Sequence, residues 1–286
     1  MCHRDSGFMK GCDAAMIRQE IRRVLLSPFF YISIAILFAG SFFPALYDIS
    51  NHYDLSYLMD STLAGYGTAL MPILSTLAIA DSYLIEEKDG YQYAVMARTT
   101  KLKYCLSKIG VAIGTGVAVV LITKVLLLLS MTVSSLVIFG KVVLGSEVVD
   151  SACAGTSYWI DHHNYIMFIG QQILYDCMYA SIFPGLSLAV STIAKNKYVV
   201  MLFPFIYANV TTLLFIGLQW YYLAPMILDA QGRASSLMFE GLPYRIFVIL
   251  IYWLVSTVFF IRGVWSKMKS VSYTHLRAHE TCRYLV

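Results

Sequence analysis

Residues Ile109 to Phe139 read IGVAIGTGVAVVLITKVLLLLSMTVSSLVIF, an unbroken apolar run whose only charge is Lys124. A bilayer hydrocarbon core about 30 Å thick asks for roughly 20 such residues per helix. The run exceeds that need, so it is expected to tilt or to project beyond the membrane. It lacks the period-2 alternation of a membrane barrel strand.

Outward from this run lie five more, bounded by charge: residues 28–47, 63–80, 165–194, 198–218 and 244–261. Pro28 to Tyr47 is entered through Arg22 and Arg23 and has no convincing cleavage site, so it fits a retained span better than a secretory segment. Pro72, Pro184 and Pro204 fall inside runs; proline is tolerated in lipid where neighbouring helices satisfy the freed carbonyl. The expectation is an all-α integral membrane protein of six transmembrane helices.

Composition agrees. Of 286 residues, 58% are hydrophobic and 13% charged, with a mean hydropathy of +0.67, whereas soluble domains carry about 25% charge. Aromatics reach 14%, as suits helix ends placed in a headgroup layer. High hydrophobicity excludes a disordered chain. The net charge of +4 is no evidence for nucleic acid, since topology alone concentrates Lys and Arg on one side.

With both ends cytoplasmic, fifteen Lys and Arg fall on inner segments, among them Arg18, Arg22, Arg23, Lys88, Lys101, Lys103 and Lys108. The outer segments hold three, Lys141, Arg233 and Arg245. The positive-inside rule places both termini in the cytoplasm of a multi-pass protein of the cell membrane. Cys2, Cys12 and Cys105 then lie on the reducing side, Cys177 within a span and Cys153 alone outside, which gives no disulfide framework.

The reading divides the chain into a cytoplasmic N-terminus (1–27), a membrane domain (28–269) and a tail (270–286). From Ser272 to Cys282 the tail breaks with the preceding composition and resembles translated sequencing-adapter sequence, so His275, His279, Glu280 and Cys282 are not read as a zinc site. Met9 and Met16 also precede the first span, so the native start is expected to lie at or after Met1.

Before that span, Ile17, Ile21, Val24 and Leu25 recur at helical spacing while Arg18, Gln19, Arg22 and Arg23 take much of the opposite face. This predicts a short amphipathic helix lying in the inner interface. The loop after the second span is the charge-dense one: Asp81-Ser82-Tyr83-Leu84-Ile85-Glu86-Glu87-Lys88-Asp89-Gly90-Tyr91, then Arg98-Thr99-Thr100-Lys101-Leu102-Lys103-Tyr104 and Lys108. An acidic turn closed by glycine and followed by a basic run suits the docking of a soluble partner through complementary charge.

The order of amphipathic helix, six spans, Asp81-Ser82, Glu86-x-x-x-Gly90 and Arg98-Thr99 leading to Lys108 resembles permease subunits of type-2 ABC transporters. The resemblance runs from about Ile17 to Lys269 and is sharpest between Asp81 and Lys108; Tyr91-Gln92 departs from the Thr-Leu often found after this glycine. It implies a bacterial exporter of a lipid, peptide or other amphipathic substrate, built from two permease chains, identical or different, and a separate ATP-binding subunit. By position Glu86, Glu87, Lys88, Asp89 and Gly90 would couple to that subunit. No Gly-x-x-x-x-Gly-Lys-Ser/Thr occurs in the sequence, so ATP, the one cofactor implied, is expected on the partner chain.

Lys124 and Asp176 fall at similar depth in their spans. A charge at the bilayer centre costs at least about 2.5–3.5 kcal/mol on insertion scales. The two are expected to pair across adjacent helices or to face the transport path together; a snorkelling Lys124 and a neutral Asp176 bonded to a neighbour stay open. His52, Asp161, His162 and His163 lack a ligand pattern, and no metal is expected. An ATP-independent carrier or scaffold is the alternative. An intramembrane hydrolase is less favoured, because no His lies within an expected span and Tyr91 stands where the arginine of paired-glutamate proteases belongs.

Overall fold

The computed structural model describes residues 6–49, 54–62, 66–92, 95, 99–145, 158–220 and 242–283, with side chains described from residue 16 to residue 268 within those ranges, save a few individual positions. Among the described residues the chain is all-helical: α1 (Ser6–Leu26), α2 (Pro28–Ile49), α3 (Leu55–Ser61), α4 (Tyr66–Leu74), α5 (Ser82–Lys88), α6 (Lys101–Phe139), α7 (Tyr158–Asp161), α8 (Tyr165–Ala180), α9 (Ile182–Ser191), α10 (Lys197–Gly217) and α11 (Leu242–Arg283).

Among the described residues five helical segments are long and apolar enough to cross a bilayer: Pro28–Tyr47, Lys101–Phe139, Tyr165–Ser191, Lys197–Phe215 and Leu242–Met268. The distribution of side chains is that of a molecule dissolved in lipid. Val137, Leu213 and Leu254 point outward, 79, 72 and 65% exposed, while Thr123, Ser135, Asp176 and Ser187 are fully buried. In water such a surface would be an aggregation hazard; in a bilayer it matches the solvent.

The expected second span, 63–80, is not one continuous helix. Residues 63–65 lie outside the described residues, α4 ends at Leu74, and turns carry the chain through residue 81 to α5. Pro72 sits near the end of α4, and the Ser75 and Thr76 hydroxyls donate to the carbonyls of Pro72 and Ile73 at 3.3 and 2.8 Å. Hydroxyls that bond back to the preceding turn compete with the helical ladder, and they do so here where the proline has removed a donor. Nine residues of helix are about 14 Å long, too short to cross alone.

The 39-residue α6 is the central element and packs against α2, α9, α8, α11 and α1. Helix α9 lies against α11 and α10. A close crossing with the α8–α9 pair uses Gly116: a Cβ there would sit 2.7 Å from Pro184 Cγ and 2.9 Å from the Ala180 carbonyl oxygen. Small residues let helix backbones approach closely in lipid, where no hydrophobic force drives association. Gly140, at φ +67°, closes α6 in the left-handed conformation, its N–H donating to the Leu136 carbonyl.

The interruption at Phe183-Pro184-Gly185 is milder than its residues imply. Ser181 separates α8 from α9, yet the pair forms one 27-residue span. At the C-terminal end α11 runs unbroken past residue 270 to Arg283, so the change of composition there has no counterpart in the backbone.

Candidate functional site

On α5 the buried residues are Ser82, Tyr83, Leu84 and Glu86. On α6, Tyr104 and Lys108 are four residues apart on one face, and both are buried against the same point. The Lys108 ammonium lies 2.6 Å from Glu86 Oε1, the Tyr104 hydroxyl donates to Oε2 at 2.6 Å, and Arg23 of α1 donates to Oε1 at 2.9 Å. One carboxylate therefore joins α1, α5 and α6, with charged or hydroxyl donors on both oxygens. Charge-assisted bonds of this kind are the strong ones, and they are what a buried charge requires.

A second carboxylate stands behind the first. Glu20, 6% exposed, brings its Oε2 within 3.6 Å of Lys108 Nζ, but that oxygen accepts no hydrogen bond among the described residues. The environment drives the two acids apart. For Glu86 burial works toward protonation, but the Lys108 charge and the bonds from Lys108 and Tyr104 prevail and hold its pKa below the ordinary value. For Glu20 burial prevails over the attraction of Lys108, and with the Glu86 charge adding to it the pKa is raised. A cavity of about 740 Å3 opens beside them, lined by Gln19, Glu20, Arg22, Glu86, Asp89 and Tyr91 among others.

Helix α5 is held from a third side by α11. Lys267 Nζ lies 2.5 Å from Glu87 Oε2 and 5.4 Å from the centre of the Tyr83 ring, and Tyr83 meets Phe260 edge-on. Of the five residues expected to couple to a partner, Glu86 is thus at the base of the helix rather than on its surface. Glu87 is half-buried and paired, whereas Lys88 and Asp89 are exposed. Gly90 follows at φ +68° and lets the chain leave α5 in a left-handed turn.

The second pair singled out from the sequence, Lys124 and Asp176, is brought together: Nζ lies 2.7 Å from Oδ2, with side chains 5 and 0% exposed. Polar groups continue along α8 away from the ion cluster. Gln172 Nε2 donates to Asp60 Oδ1 of α3 at 2.6 Å, and Arg245, counted with the outer segments, is 1% exposed with its guanidinium 3.9 Å from the centre of the Tyr175 ring. The signal for Arg245 in the sequence is its position just inside an apolar run, after Pro243, where a lone cation must find an aromatic face or a counter-charge.

Helix α1 extends beyond its expected amphipathic stretch; Val24 is buried, while Ile17, Ile21 and Leu25 remain 39, 45 and 47% exposed. His162 stacks on Tyr158 and His163 approaches the Tyr165 hydroxyl, while His52, Arg98, Cys153 and Arg233 lie outside the described residues. Among the described residues no three His, Cys, Asp or Glu side chains gather as metal ligands. Cys105 and Cys177 are buried free thiols. No family model, no curated protein and no solved structure matches the chain.

Proposed function

We propose that the chain is the membrane subunit of an ATP-driven transporter of the type-2 ABC class, joined through α5 to a separate ATP-binding subunit and assembled with a second permease chain. The observation that carries the reading is the way α5 is fastened. A coupling element must hand a push to the spans without slipping, and α5 is bonded through Glu86 to α1 and α6 and through Glu87 to α11. Its far end carries Lys88 and Asp89 outward beside Gly90, an opposite-charge pair suited to a salt-sensitive contact with a soluble partner. The sequence has no phosphate-binding Gly-rich loop, so hydrolysis belongs to the partner. On this reading both termini lie in the cytoplasm and α1 in the inner interface, and the cargo is an exported lipid, peptide or other amphipath.

The test is a mild-detergent purification from cells expressing the neighbouring genes, comparing the native chain with Lys88→Glu/Asp89→Lys. An ATPase that co-purifies with the native chain, and drops at least tenfold with the variant while the fold is retained, supports the reading. A native chain that purifies alone without ATPase overturns it.

The buried Lys124–Asp176 pair favours a second reading, an ATP-independent carrier, because ionisable residues inside a bundle mark ion and proton paths. That reading predicts transport in liposomes by the chain alone, abolished by Asp176→Asn.

A further inference from the structure

Lys108 has two acids within reach. Its ammonium lies 2.6 Å from Glu86 Oε1 of α5 and 3.6 Å from Glu20 Oε2 of α1, and all three side chains are buried. A flexible four-carbon arm with three rotatable donors exchanges such partners by a small change of rotamer. Arg23 and Tyr104 are bonded to Glu86, one on each oxygen.

The two acids also meet. The Glu20 and Glu86 carboxyls are within hydrogen-bonding reach of each other. An ionised carboxylate has no proton to donate, so a bonded pair of them holds one proton. Facing Glu20 are Glu86 from α5, Lys108 and Tyr104 from α6, Arg23 from its own helix and Tyr91 from the turn after α5. Helix α2, which also packs against α1, carries no charge before Asp48. The Tyr91 hydroxyl donates to Gln19, and Arg23 is engaged by Glu86, which leaves Lys108 as the cation for which an ionised Glu20 competes. Burial favours the neutral form of Glu20. The cavity of about 740 Å3 that both acids line gives a proton its route to water.

We propose that Glu20 and Glu86 hold a single proton, and that this proton decides which helix Lys108 serves. With the proton bound, Glu20 is neutral and Lys108 ties α6 to α5 through Glu86. When the proton leaves through the cavity, Glu20 becomes a second buried carboxylate, draws Lys108 toward α1 and loosens α5. The step transfers one proton to water and needs no other reactant. It lies within this chain and is independent of what α5 docks against.

The test follows the full chain in nanodiscs from about pH 5 to about pH 9, with infrared difference spectra reporting the proton and amide hydrogen exchange reporting α5. The expected result is the C=O stretch of a protonated carboxyl that fades as pH rises, is missing in Glu20→Gln and is kept in Asp89→Asn. At the same midpoint the protection of residues 82–88, corrected for the intrinsic pH dependence of exchange, should fall at least threefold in the native chain. In Glu20→Gln, a permanent mimic of the protonated acid, it should stay level, and residues 165–180 should keep their protection in both proteins. A native chain with no fading carboxyl band, or a band that survives Glu20→Gln, would overturn the proposal. So would level protection of α5 through the titration, or an equal loss in residues 165–180, which would be general loosening. Should Glu20→Gln fail to fold, Glu20→Asp decides: the acid on a shorter arm must move the midpoint of both signals, and unmoved midpoints overturn the proposal.

Discussion

Two of the places where the described chain buries charge are built differently. At the start of α6 one carboxylate, Glu86, is shared by a lysine, an arginine and a tyrosine drawn from two other helices, with Glu20 in reserve. Sixteen residues further along, Lys124 has Asp176 as its ion-pair partner. The first arrangement has redundancy, and its edge reaches water through Arg23, whose side chain is 38% exposed. The second is enclosed by spans. Burying a pair is weak evidence for stability, but breaking one strands a charge, at about 3–5 kcal/mol.

The sharpest way to break the comparison is therefore at the enclosed pair. Asp176→Ala should cost about 3–5 kcal/mol and most of the folded yield, whereas Lys124→Met/Asp176→Leu should recover much of that loss; thermal unfolding in detergent of both single variants and the double gives the coupling. Glu86→Gln should cost less, about 1–3 kcal/mol, because Glu20 stands ready to take over Lys108. Equal losses at the two sites would mean that Glu20 gives the first no reserve. Glu86→Lys would be worse than Glu86→Gln, since it adds a third cation to Lys108 and Arg23, so it is a poor probe of partner docking.

The cluster should also titrate with two opposed signs. Glu86 has its folded pKa depressed, so it contributes stability that is present above its ordinary 4.5 and lost as pH falls through the folded value. Glu20 has its folded pKa raised, so its contribution is present below 4.5 and lost as pH rises through the folded value. Unfolding midpoints measured from pH 4 upward should fall less for Glu20→Gln than for the native chain, while Glu86→Gln should flatten the acid limb below 4.5. The same slope in all three proteins would mean that the two acids are not set apart.

The smallest effects belong to the wet edges. Arg23→Gln and Lys267→Gln each remove a partly exposed partner, with side chains 38 and 25% exposed, and should cost about 0.2–1 kcal/mol, less in high salt. Denaturation at low and high ionic strength checks this.

These two sites also differ in how far they could be read from residues alone. Lys124 and Asp176 are conspicuous because a charge inside an apolar run has to be accounted for, and helical rise puts both at one depth. Glu86 sits in a run of charges, Glu86-Glu87-Lys88-Asp89, where composition does not separate the inward carboxylate from the outward ones. No local pattern does, since Ser82, Tyr83 and Leu84 are all buried beside it, and the partners Arg23 and Lys108 are 63 and 22 residues away. Four of the expected spans were legible as continuous helices or pairs at nearly their read limits, and α6 as a longer one. The segment 63–80 was not, because hydropathy counts Pro72, Ser75 and Thr76 without weighing what they do to the backbone between them.

The length of α6 has a mechanical consequence. Lys108 and Lys124 are about 24 Å apart along its axis at 1.5 Å per residue. If the mid-membrane pair is the fulcrum, a tilt of about 10° carries Lys108 sideways by about 4 Å on that lever arm. A contact of 2.6 Å cannot stretch that far; under such a tilt α1 and α5 would have to travel with the helix or be released by it.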